Sequence, residues 1–442
     1  MKISIALFAL ILCLSCQPKD NYMGVPVSEI EMQLHNLLNN YYPRIIDTIN
    51  GGYWTNLEND WTLSENQNKM LVTQARGLWT AARAAELFPD NPVFRKAADH
   101  GFRFLTAQMW DTVNGGFFQH YYIDSAQKTD ATFKLTYGNA FALYGLSQYA
   151  RINKDPEAID WVRKSFDWLE KELHDSVYRG YYNIFVPANV NVDYDKAVNK
   201  AGWGQDNWKD QNTSIHLMEA FTVAYQVLQE EPIKARLIEM LELVRDSMTN
   251  DDGTLDLYFT KTWQPISHRD SSREYIIRNP ALDHISFGHN IETAYLLADA
   301  SQALYGEPDS LTLTIAKKLL DHTLSHGFDR DNTGLFDKGY NFSGDEVEVI
   351  DSTKVWWAQA EAWHALALFS VFYPEEQAYP EAFKNMWTYI TNSIVDPENG
   401  GWYNSGTDRN PETINNRKAH AWKGCYHDGR ALMQVYDYIS KE

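Results

Sequence analysis

The sequence predicts an all-α fold, an (α/α)6 barrel of six helical hairpins joined by loops that contain short β-hairpins. Three observations favour it. Six glycine-aromatic loops recur along the 442 residues. Apolar residues between the loops have helical spacing, over stretches long enough for two helices each. One further helix is predicted at each end of the chain. Because a hairpin buries its apolar face only against its neighbours, we expect the terminal helices to pair and close the ring.

The repeated loops place one or two glycines before an aromatic or leucine residue. They are Gly51-Gly52-Tyr53-Trp54, Gly115-Gly116-Phe117-Phe118, Gly180-Tyr181-Tyr182, Gly253-Thr254-Leu255, Gly334-Leu335-Phe336 and Gly400-Gly401-Trp402-Tyr403. A chemically useful side chain follows each loop near the expected start of the next helix, namely Arg76, Tyr137, His216, His289, Glu361 and His427. Six equivalent positions in a closed ring predict one shared pocket.

The apolar spacing predicts five complete helix pairs, with a proline or polar break inside most of them. The pairs are 74–88 with 91–109, 139–153 with 156–173, 212–229 with 232–248, 290–304 with 310–325, and 355–372 with 380–394. Single helices are predicted at 27–46 and 427–440. Residues 28–442 are therefore expected to form one catalytic domain.

The N-terminus resembles a bacterial lipoprotein signal. Lys2 is followed by an apolar run that ends at Leu14, and Ser15 then precedes Cys16. We predict a signal peptide over residues 1–15, lipidation of Cys16 and a polar tether over residues 16–27. Plain secretion with cleavage nearby is the alternative. Either reading predicts export, and the first predicts a cell envelope lipoprotein on the periplasmic or surface side of a bacterial membrane, held there only by its lipid.

Composition limits the partners of the chain. A formal charge of −20 without a Lys/Arg-rich run excludes a nucleic acid partner, because phosphate binding depends on neutralising cations. Aromatic residues make up 14% of the chain and include 15 tryptophans. They suit both a helical core and the stacking faces of a sugar-binding cleft, so composition does not choose between these uses. We expect a monomer or weak dimer.

Two H-x-x-E motifs indicate proton transfer. In His216/Glu219 and His289/Glu292 this spacing puts an imidazole and a carboxylate on one helix face, where the carboxylate would fix the tautomer of the ring. A single motif is typical of a structural polar pair. Two motifs in equivalent repeats, with His427 in a third, favour one catalytic pocket. The surrounding helix N-termini should hold these histidines neutral near pH 7.

The inner helices also carry candidates for sugar binding. Trp357 and Glu361, four residues apart, would offer a stacking plane and a hydroxyl acceptor on one face. Trp356 and Trp363 are interpreted as core residues. Arg76 lies on an otherwise apolar helix and needs an anionic or polyhydroxyl partner, unless Glu292 or Glu361 forms a salt bridge with it.

Two other chemistries are weighed against proton transfer. The H-x-x-x-H pair His322 and His326 ends an outer helix, where a cap is a simpler interpretation than a metal site. The adjacent Asp251 and Asp252 resemble the acid and base of some (α/α)6 glycosidases, although a turn is the simpler interpretation. We predict no metal and no cofactor, and a hydrolase remains an alternative.

Motifs along nearly the whole mature chain resemble the N-acylglucosamine 2-epimerase family, and within it the cellobiose 2-epimerases. The similarity is carried by Gln74-Ala75-Arg76, Tyr137 through Ala142, Asn212 through Ala220, Gly288 through Glu292, Trp356 through Glu361, and Trp422 through Arg430. It implies an aldose 2-epimerase that inverts C2 of the reducing-end sugar of a free mono- or oligosaccharide of glucose/mannose type, such as cellobiose or mannobiose, through an enediolate.

The resemblance also implies roles for individual residues. His289 and His427 are similar to the two acid/base residues at C2, and His216 to the histidine that supports ring opening or the enediolate. Positions similar to substrate-binding ones are Arg76, Tyr137, Asn212, Glu292, Tyr295, Trp357, Glu361 and Trp422. Tyr295 stands where these epimerases tend to have tryptophan, and Ser214 replaces a common histidine, so we expect a different surface for the second sugar. Aldose-ketose isomerisation and noncatalytic glycan binding remain open.

Overall fold

Two concentric rings of helices make up the fold in the computed structural model, which describes residues 20–130, 132–189, 208–342 and 346–441. Within these residues the inner ring contains α2 (Leu71–Leu87), α4 (Thr136–Asn153), α6 (Gln211–Leu228), α8 (Phe287–Tyr305), α10 (Trp356–Phe372) and α12 (His427–Lys441). The outer ring contains α1 (Val27–Tyr41), α3 (Pro92–Phe104), α5 (Pro156–Glu172), α7 (Glu231–Leu243), α9 (Ser310–His326) and α11 (Ala378–Tyr389). Successive inner helices touch, and α12 contacts both α2 and α1. The predicted ring is therefore confirmed.

Burial distinguishes the two rings. Along α4 every residue from Thr136 to Ala150 is buried, as expected for a helix with neighbours on all sides. The outer helix α5 buries a single stripe that includes Val162, Phe166 and Leu169. No helix in the described part of the chain is long and apolar enough to span a membrane.

Three kinds of boundary differ from the predicted ones. Helix α1 ends at Tyr41 instead of residue 46, because Tyr42 is extended ahead of Pro43, and a residue before proline disfavours the helical conformation. Helices α2, α4 and α8 begin three residues before their predicted starts, directly after short strands. Helices α3, α7 and α11 continue into five-residue π-helical segments, at Leu105–Met109, Val244–Met248 and Ile390–Ile394.

The described part of the predicted tether is packed and not free. Residues 21–26 form a two-stranded sheet in which Tyr22 and Val25 are buried in the core. The edge of the Tyr22 ring packs against Phe383 of α11. The barrel therefore includes this segment, which corrects the prediction of a tether up to residue 27. Cys16 and the predicted signal peptide lie outside the described residues.

Short antiparallel strands fasten each repeat to the next. The strands are β1 (Asn21–Tyr22), β2 (Val25–Pro26), β3 (Lys69–Met70), β4 (His120–Tyr121), β5 (Lys134–Leu135), β6 (Ile184–Phe185), β7 (Lys209–Asp210), β8 (Tyr258–Phe259), β9 (Ile285–Ser286), β10 (Lys338–Asn341) and β11 (Val347–Asp351). Strands β3, β5, β7 and β9 each precede an inner helix and pair with β4, β6, β8 and β10. Each partner strand follows the next outer helix, so these pairs connect one repeat to the next. The pairs β1–β2 and β10–β11 are instead local hairpins. Each glycine loop is closed by a single bridge, such as Ile46 with Tyr53.

Amides on the inner helices hold several of these loops. Gln74 of α2 accepts a hydrogen bond from Tyr53 N at 2.7 Å and donates one to Tyr53 O at 2.9 Å. Gly52 has φ +66°, and a Cβ there would lie 2.4 Å from Gln74 Oε1, so this position requires glycine. Gln359 binds Leu335 in the loop before α10 in the same way, and Asn139 accepts a hydrogen bond from Phe117 N in the loop before α4. The loops are thus fixed to the helix ends that carry the candidate site residues.

Five repeats share a buried lysine–aspartate pair. A lysine just before the inner helix, or before the loop leading to α12, bonds an aspartate in the preceding glycine loop: Lys69–Asp47, Lys134–Asp111, Lys209–Asp175, Lys354–Asp329 and Lys418–Asp396. In the fourth repeat Asn250 and Ile285 occupy the corresponding positions. The aspartates also accept hydrogen bonds from loop backbone N–H groups, for example those of Val113 and Asn114 on Asp111. Each pair therefore fixes the conformation of its glycine loop and holds that loop against the start of the inner helix.

Candidate active site

A cavity of about 300 Å³ opens among the N-terminal ends of the inner helices. Nine of the eleven predicted catalytic and substrate-binding residues line it, together with Trp356: Arg76, Tyr137, Asn212, His216, His289, Glu292, Trp357, Trp422 and His427. The expectation that residues from all six repeats meet in one pocket is therefore met by the geometry. The two predicted residues outside the lining set are Tyr295 and Glu361.

The lining residues lie at two depths because the helix starts differ from their predicted positions. Tyr137, Asn212, His289, Trp357 and His427 belong to the first turn of their helices. Three further lining residues, Arg76, His216 and Glu292, occupy the sixth position of their helices, and Glu361 occupies the same position of α10 behind the cavity wall. The six residues first singled out are thus not equivalent positions, and they form a rim and a floor around one space.

Two of the three histidines are held by carboxylates. His216 Nδ1 lies 2.9 Å from Glu219 Oε2, the pairing that the H-x-x-E spacing predicts. His427 Nδ1 lies 2.5 Å from Glu361 Oε1, a contact between α12 and α10. A carboxylate that accepts from Nδ1–H leaves the lone pair on Nε2, so both rings are oriented to act as bases through Nε2.

His289 does not pair with Glu292, which corrects the H-x-x-E expectation for this motif. Its Nδ1 lies 2.9 Å from Oγ of Ser286, the N-cap residue of α8. Glu292 accepts a hydrogen bond from Arg430 instead. A hydroxyl can donate to Nδ1 or accept from it, so Ser286 is compatible with either tautomer of the ring. This suits a group that gains and loses a proton.

Burial lowers the pKa of the two histidines predicted to act at C2. For His289 burial is the largest cause, opposed by Glu292 and reinforced by His216, and the pKa is about 4. For His427 burial and then the positive charge of Arg76 hold the pKa well below 6.5. Both rings are therefore neutral at pH 7, as predicted, and able to accept a proton.

Arg76 is a buried cation without a carboxylate partner among the described residues. Its guanidinium lies over the rings of Phe141 and Tyr426, at 4.2 and 4.8 Å from their centroids, and donates to Tyr137 Oη at 3.0 Å. Its Nε has no hydrogen-bond partner in the part of the chain that the structure describes. The predicted alternative, a salt bridge to Glu292 or Glu361, is wrong. A buried guanidinium beside the cavity is suited to an anion that forms there.

A buried ion network lies beneath the cavity. Arg430 of α12 donates to Glu292 at 2.6 Å and to Glu361 at 2.7 Å, and also to Glu219. Glu292, Glu361 and His427 are close enough together to suggest a metal site. Yet one guanidinium nitrogen already bonds a carboxylate oxygen of each glutamate, so a cation is built into the cluster. These residues do not fit a metal ion beside that fixed positive charge.

Tyr295 and Glu361 support the site from behind its wall. Tyr295 is only 1% exposed and donates to Glu361 Oε2 at 2.6 Å, while Glu361 Oε1 bonds His427. Tyr295 therefore acts on His427 indirectly, through its hydrogen bond to Glu361. Their assignment as substrate-binding residues stays a prediction.

Replacing Tyr295 by phenylalanine should lower kcat while leaving KM nearly unchanged. The hydroxyl stabilises the Glu361 carboxylate, and a hydrogen bond to a charged group contributes about 1.5–3 kcal/mol. We expect a roughly 10-fold loss of kcat, of the order such a bond supports. Steady-state kinetics measure both constants. A large rise in KM with unchanged kcat would instead place this residue in direct contact with the sugar.

The tryptophans divide between cavity and core. Trp363 is fully buried and stacks on Phe383 and Trp387, as predicted for a core residue. Trp356 was expected in the core but lines the cavity beside Trp357. Trp422 is 46% exposed and packs near Tyr137, so it forms an open edge of the site.

The alternative sites lie away from the cavity. Asp251 and Asp252 are exposed in a turn, where Asp252 Oδ1 accepts from Thr254 N. His322 and His326 lie in the last turns of α9 with ring centroids 4.7 Å apart. The acidic pair therefore has the turn role that its sequence suggests.

Comparison with known proteins agrees with this geometry. The family model described as N-acylglucosamine 2-epimerase matches residues 52–431. A cellobiose 2-epimerase from Ruminococcus albus is 28% identical over 413 residues, which cover 92% of this chain and 98% of that protein. The structure of cellobiose 2-epimerase from Spirochaeta thermophila is 27% identical with a TM-score of 0.76, covering 94% and 96% of the two chains. A D-mannose isomerase structure shares the fold, with 22% identity, a TM-score of 0.77 and coverage of 93% and 98%. The chain belongs to the N-acylglucosamine 2-epimerase family.

Proposed function

We propose that this protein is an aldose 2-epimerase that inverts C2 of the reducing-end sugar of a free oligosaccharide of glucose/mannose type. The observation that carries the proposal is one cavity lined by two neutral histidines, His289 and His427, together with Arg76. Epimerisation at a carbon next to a carbonyl needs a base on one face and a proton donor on the other. Two histidines from different helices supply such a pair.

The proposed reaction consists of two proton transfers at C2. On the open-chain aldose, Nε2 of one histidine takes the C2 proton, the electron pair of that C–H bond forms the C1–C2 double bond, and the carbonyl electron pair moves to the C1 oxygen to give an enediolate. The histidine across the sugar takes up a proton from solvent at Nε2 and donates it to the other face of C2 as the C1 carbonyl reforms. The first histidine then releases its proton to solvent, so both rings are neutral again. The rings of His289 and His427 lie near Trp357, with centroids 4.9 and 5.8 Å from its ring. We propose that this indole holds the sugar between them.

The negative charge on the enediolate oxygen needs a cation that is not already paired with a carboxylate of the protein. Arg76 has aromatic faces and a tyrosine hydroxyl around it but no carboxylate within the described residues. Its charge is therefore available to the anion that develops at C1. We propose that His216, oriented by Glu219, assists ring opening or the enediolate through Nε2.

The extended shape of the site favours a substrate longer than one sugar. A recess of about 230 Å³ shares Asn212 and His289 with the catalytic cavity and continues along Tyr258 and His284. Trp422 adds an exposed aromatic face at the edge of that cavity. We propose that the reducing-end sugar occupies the catalytic cavity and that the next sugar lies in or beside the recess.

Replacing Trp422 by alanine should affect a disaccharide more than a monosaccharide. Loss of an aromatic stacking face costs about 0.5–1.5 kcal/mol. We therefore expect KM for cellobiose to rise about 3- to 10-fold, with KM for mannose changed less. Initial rates on both sugars measure the ratio. Equal effects on the two would place this indole at the reducing-end sugar.

Incubation with cellobiose and mannobiose in D2O, followed by NMR, tests the proposed reaction. Epimerisation predicts the C2 epimer of each disaccharide with deuterium at C2. Accumulation of a ketose would establish aldose-ketose isomerisation, in which one base moves the proton between C1 and C2. Release of monosaccharides would establish a glycosidase, and binding without turnover a glycan-binding protein.

We further propose that the protein is an exported lipoprotein with residues 1–15 as its signal peptide and Cys16 as its lipidated residue. The apolar run after Lys2 and the Ser15-Cys16 junction support this. Its substrate would then be an oligosaccharide released outside the cytoplasm. Mass spectrometry of the mature N-terminus and membrane fractionation of a Cys16→Ser variant test it, and a full-length chain in the cytoplasm would contradict it.

We also propose that each protomer is catalytically complete, as a monomer or weak dimer. The three predicted catalytic histidines, His216, His289 and His427, meet in one cavity of this chain. Sedimentation at several concentrations, combined with activity measurements, tests this. Activity that appeared only in the dimer would overturn it.

A further inference from the structure

We propose that Arg430 is a positioning residue that keeps Glu361 and Glu219 ionised and thereby fixes His427 and His216 in the tautomers that can accept protons. The inference rests on the proposed epimerase function for its kinetic test, but not for its spectroscopic one. Arg430 lies below the catalytic cavity and is not among the residues that line it. It acts on the reaction through the two glutamates.

The contacts of Arg430 place one cation between three carboxylates. Its Nη2 donates to Glu292 Oε1 at 2.6 Å and to Glu361 Oε1 at 2.7 Å, and its Nη1 donates to Glu219 Oε1. Nη1 also donates to Tyr426 Oη at 2.6 Å, and that hydroxyl lies 3.1 Å from Glu219. All three carboxylates and the guanidinium are almost fully buried. Three like charges at such spacing could not all remain ionised without it.

The two glutamates respond differently to this environment. Burial raises the pKa of Glu219, but the Arg430 charge and the His216 hydrogen bond outweigh it, and the pKa falls to about 2. Burial raises the pKa of Glu361 further than Arg430 and Tyr295 lower it, so it stays above 4.5. The ionisation of Glu361, the partner of His427, is therefore more sensitive to loss of the guanidinium than the ionisation of Glu219.

The protonation state of Glu361 decides which nitrogen of His427 is basic. An ionised carboxylate accepts from Nδ1–H and leaves Nε2 unprotonated. A protonated carboxyl group would donate to Nδ1, and the neutral ring would then carry its hydrogen on Nε2 and accept no proton there. The same argument applies to Glu219 and His216. One arginine thus controls two bases on different helices: His427 on its own helix α12, and His216 on α6, whose partner Glu219 is 211 residues from Arg430 in the chain.

The other side of Arg430 faces a second cavity, of about 520 Å³, at the opposite end of the barrel. The network is therefore a partition between the two cavities. Other charged or titratable groups act on it from the surrounding helices and from α12 itself, namely Arg76, Tyr144, Tyr295, Asp299, His364 and Asp428. Within the described residues, Arg430 is the cation that touches both histidine-bound glutamates.

The kinetic test compares Arg430→Gln with Arg430→Lys. For Arg430→Gln we expect kcat/KM at pH 7 to fall about 100-fold, with KM changed little, because the neutral rings carry the wrong tautomer. Loss of the cation raises the pKa of Glu361 further, so the acid limb should move at least about one unit to higher pH and activity should partly return in alkali. Arg430→Lys keeps the charge, so most of the activity and the original acid limb should be retained. An unchanged pH profile in Arg430→Gln would overturn the proposal.

Arg83→Gln is the matched control. Arg83 lines the second cavity and pairs with Glu86 and Asp437, but it contacts neither histidine-bound glutamate. Removing it should change stability without moving the acid limb of kcat/KM. An equal shift in this variant would assign the effect to the general charge of the barrel and contradict a specific role for Arg430.

Nitrogen-15 NMR of the histidine side chains tests the inference without any turnover. In the wild-type protein at pH 7 we expect His427 as a neutral ring with hydrogen on Nδ1, and His216 with its Nδ1 hydrogen directed at Glu219. In Arg430→Gln we expect His427 with hydrogen on Nε2. Hydrogen on Nε2 of His427 in the wild type would overturn the proposal even if Arg430→Gln failed to fold. Correct tautomers in a protein that epimerises no sugar would instead reject the proposed function alone.

Discussion

Asparagine in place of His289 or His427 should reduce epimerisation by about 10³-fold or more, because each variant lacks one of the two groups that exchange a proton with C2. Asparagine keeps a polar side chain of similar size but cannot accept a proton near neutral pH. Conversion of cellobiose to its C2 epimer at saturating and limiting substrate measures the loss. Turnover close to that of the wild type in either variant would reject a two-histidine mechanism.

The two variants should also differ in what they still do. The remaining histidine can take the C2 proton from the epimer that presents it and return one to the same face. In D2O, His289→Asn and His427→Asn are therefore expected to place deuterium at C2 of opposite epimers without inverting them. Exchange into the same epimer by both variants would show that the two rings work on one face, as an isomerase requires. His35→Asn, at an exposed position of α1, is the control and should leave both rates unchanged.

The architecture was predictable because each repeat is marked by residues that are close together in the sequence. Positive φ angles in the loops require glycine, as at Gly52 and Gly116, and the aromatic residues that follow these two, Tyr53 and Phe117, are buried. A glycine with positive φ recurs in all six loops and marks where each hairpin begins. The starts of the inner helices were less predictable. Four of these helices follow a two-residue strand directly, and a strand that short has no sequence pattern that separates it from a loop.

The composition of the cavity was predictable from the same repeats, but its internal bonding was not. Helix position alone placed His216 beside Glu219, since both lie on α6. The partner of His427 lies on α10, and ring closure, which local spacing does not show, brings the two together. The same closure brings Arg430 to its partners Glu219 and Glu292, which are distant from it in the chain and are therefore not indicated by local spacing.

The buried lysine–aspartate pairs correspond to a pattern in the sequence that no single repeat reveals. An aspartate precedes the loop glycine by four or five residues in five repeats, as Asp111 precedes Gly115 and Asp329 precedes Gly334. A lysine precedes the inner helix by two residues, as Lys134 precedes Thr136. Each half of the pattern is ordinary by itself for a polar loop. Only their pairing across a repeat indicates a structural role.

Asp111→Asn should lower the free energy of unfolding by about 3–5 kcal/mol, because it leaves the ammonium of Lys134 buried without its counter-charge. Lys134 Nζ lies 2.8 Å from Asp111 Oδ2, and both side chains are at most 3% exposed. Urea unfolding at pH 7 measures the change. The double variant Asp111→Asn/Lys134→Met, which removes both charges, should lose less. A larger loss in the double variant would show that loop hydrogen bonds to the aspartate, and not the ion pair, carry the effect.

The pH dependence of stability provides an independent check on the same pair. Burial raises the pKa of Asp111, but hydrogen bonds from Lys134, Asn114 and the loop backbone outweigh it and hold the pKa below 3.8. A carboxyl group with a lowered pKa stabilises the fold fully above its unfolded value and loses that contribution as the pH falls through its folded value. Stability of the wild type should therefore decline below about pH 4, where the unfolded chain begins to take up protons, and Asp111→Asn should decline less steeply. The control is Glu348→Gln, which removes one partner of the exposed ion pair with Arg273 and should lower the free energy of unfolding far less than Asp111→Asn. If Glu348→Gln lowered it as much as Asp111→Asn does, burial would not be the reason that the loop ion pairs stabilise the fold.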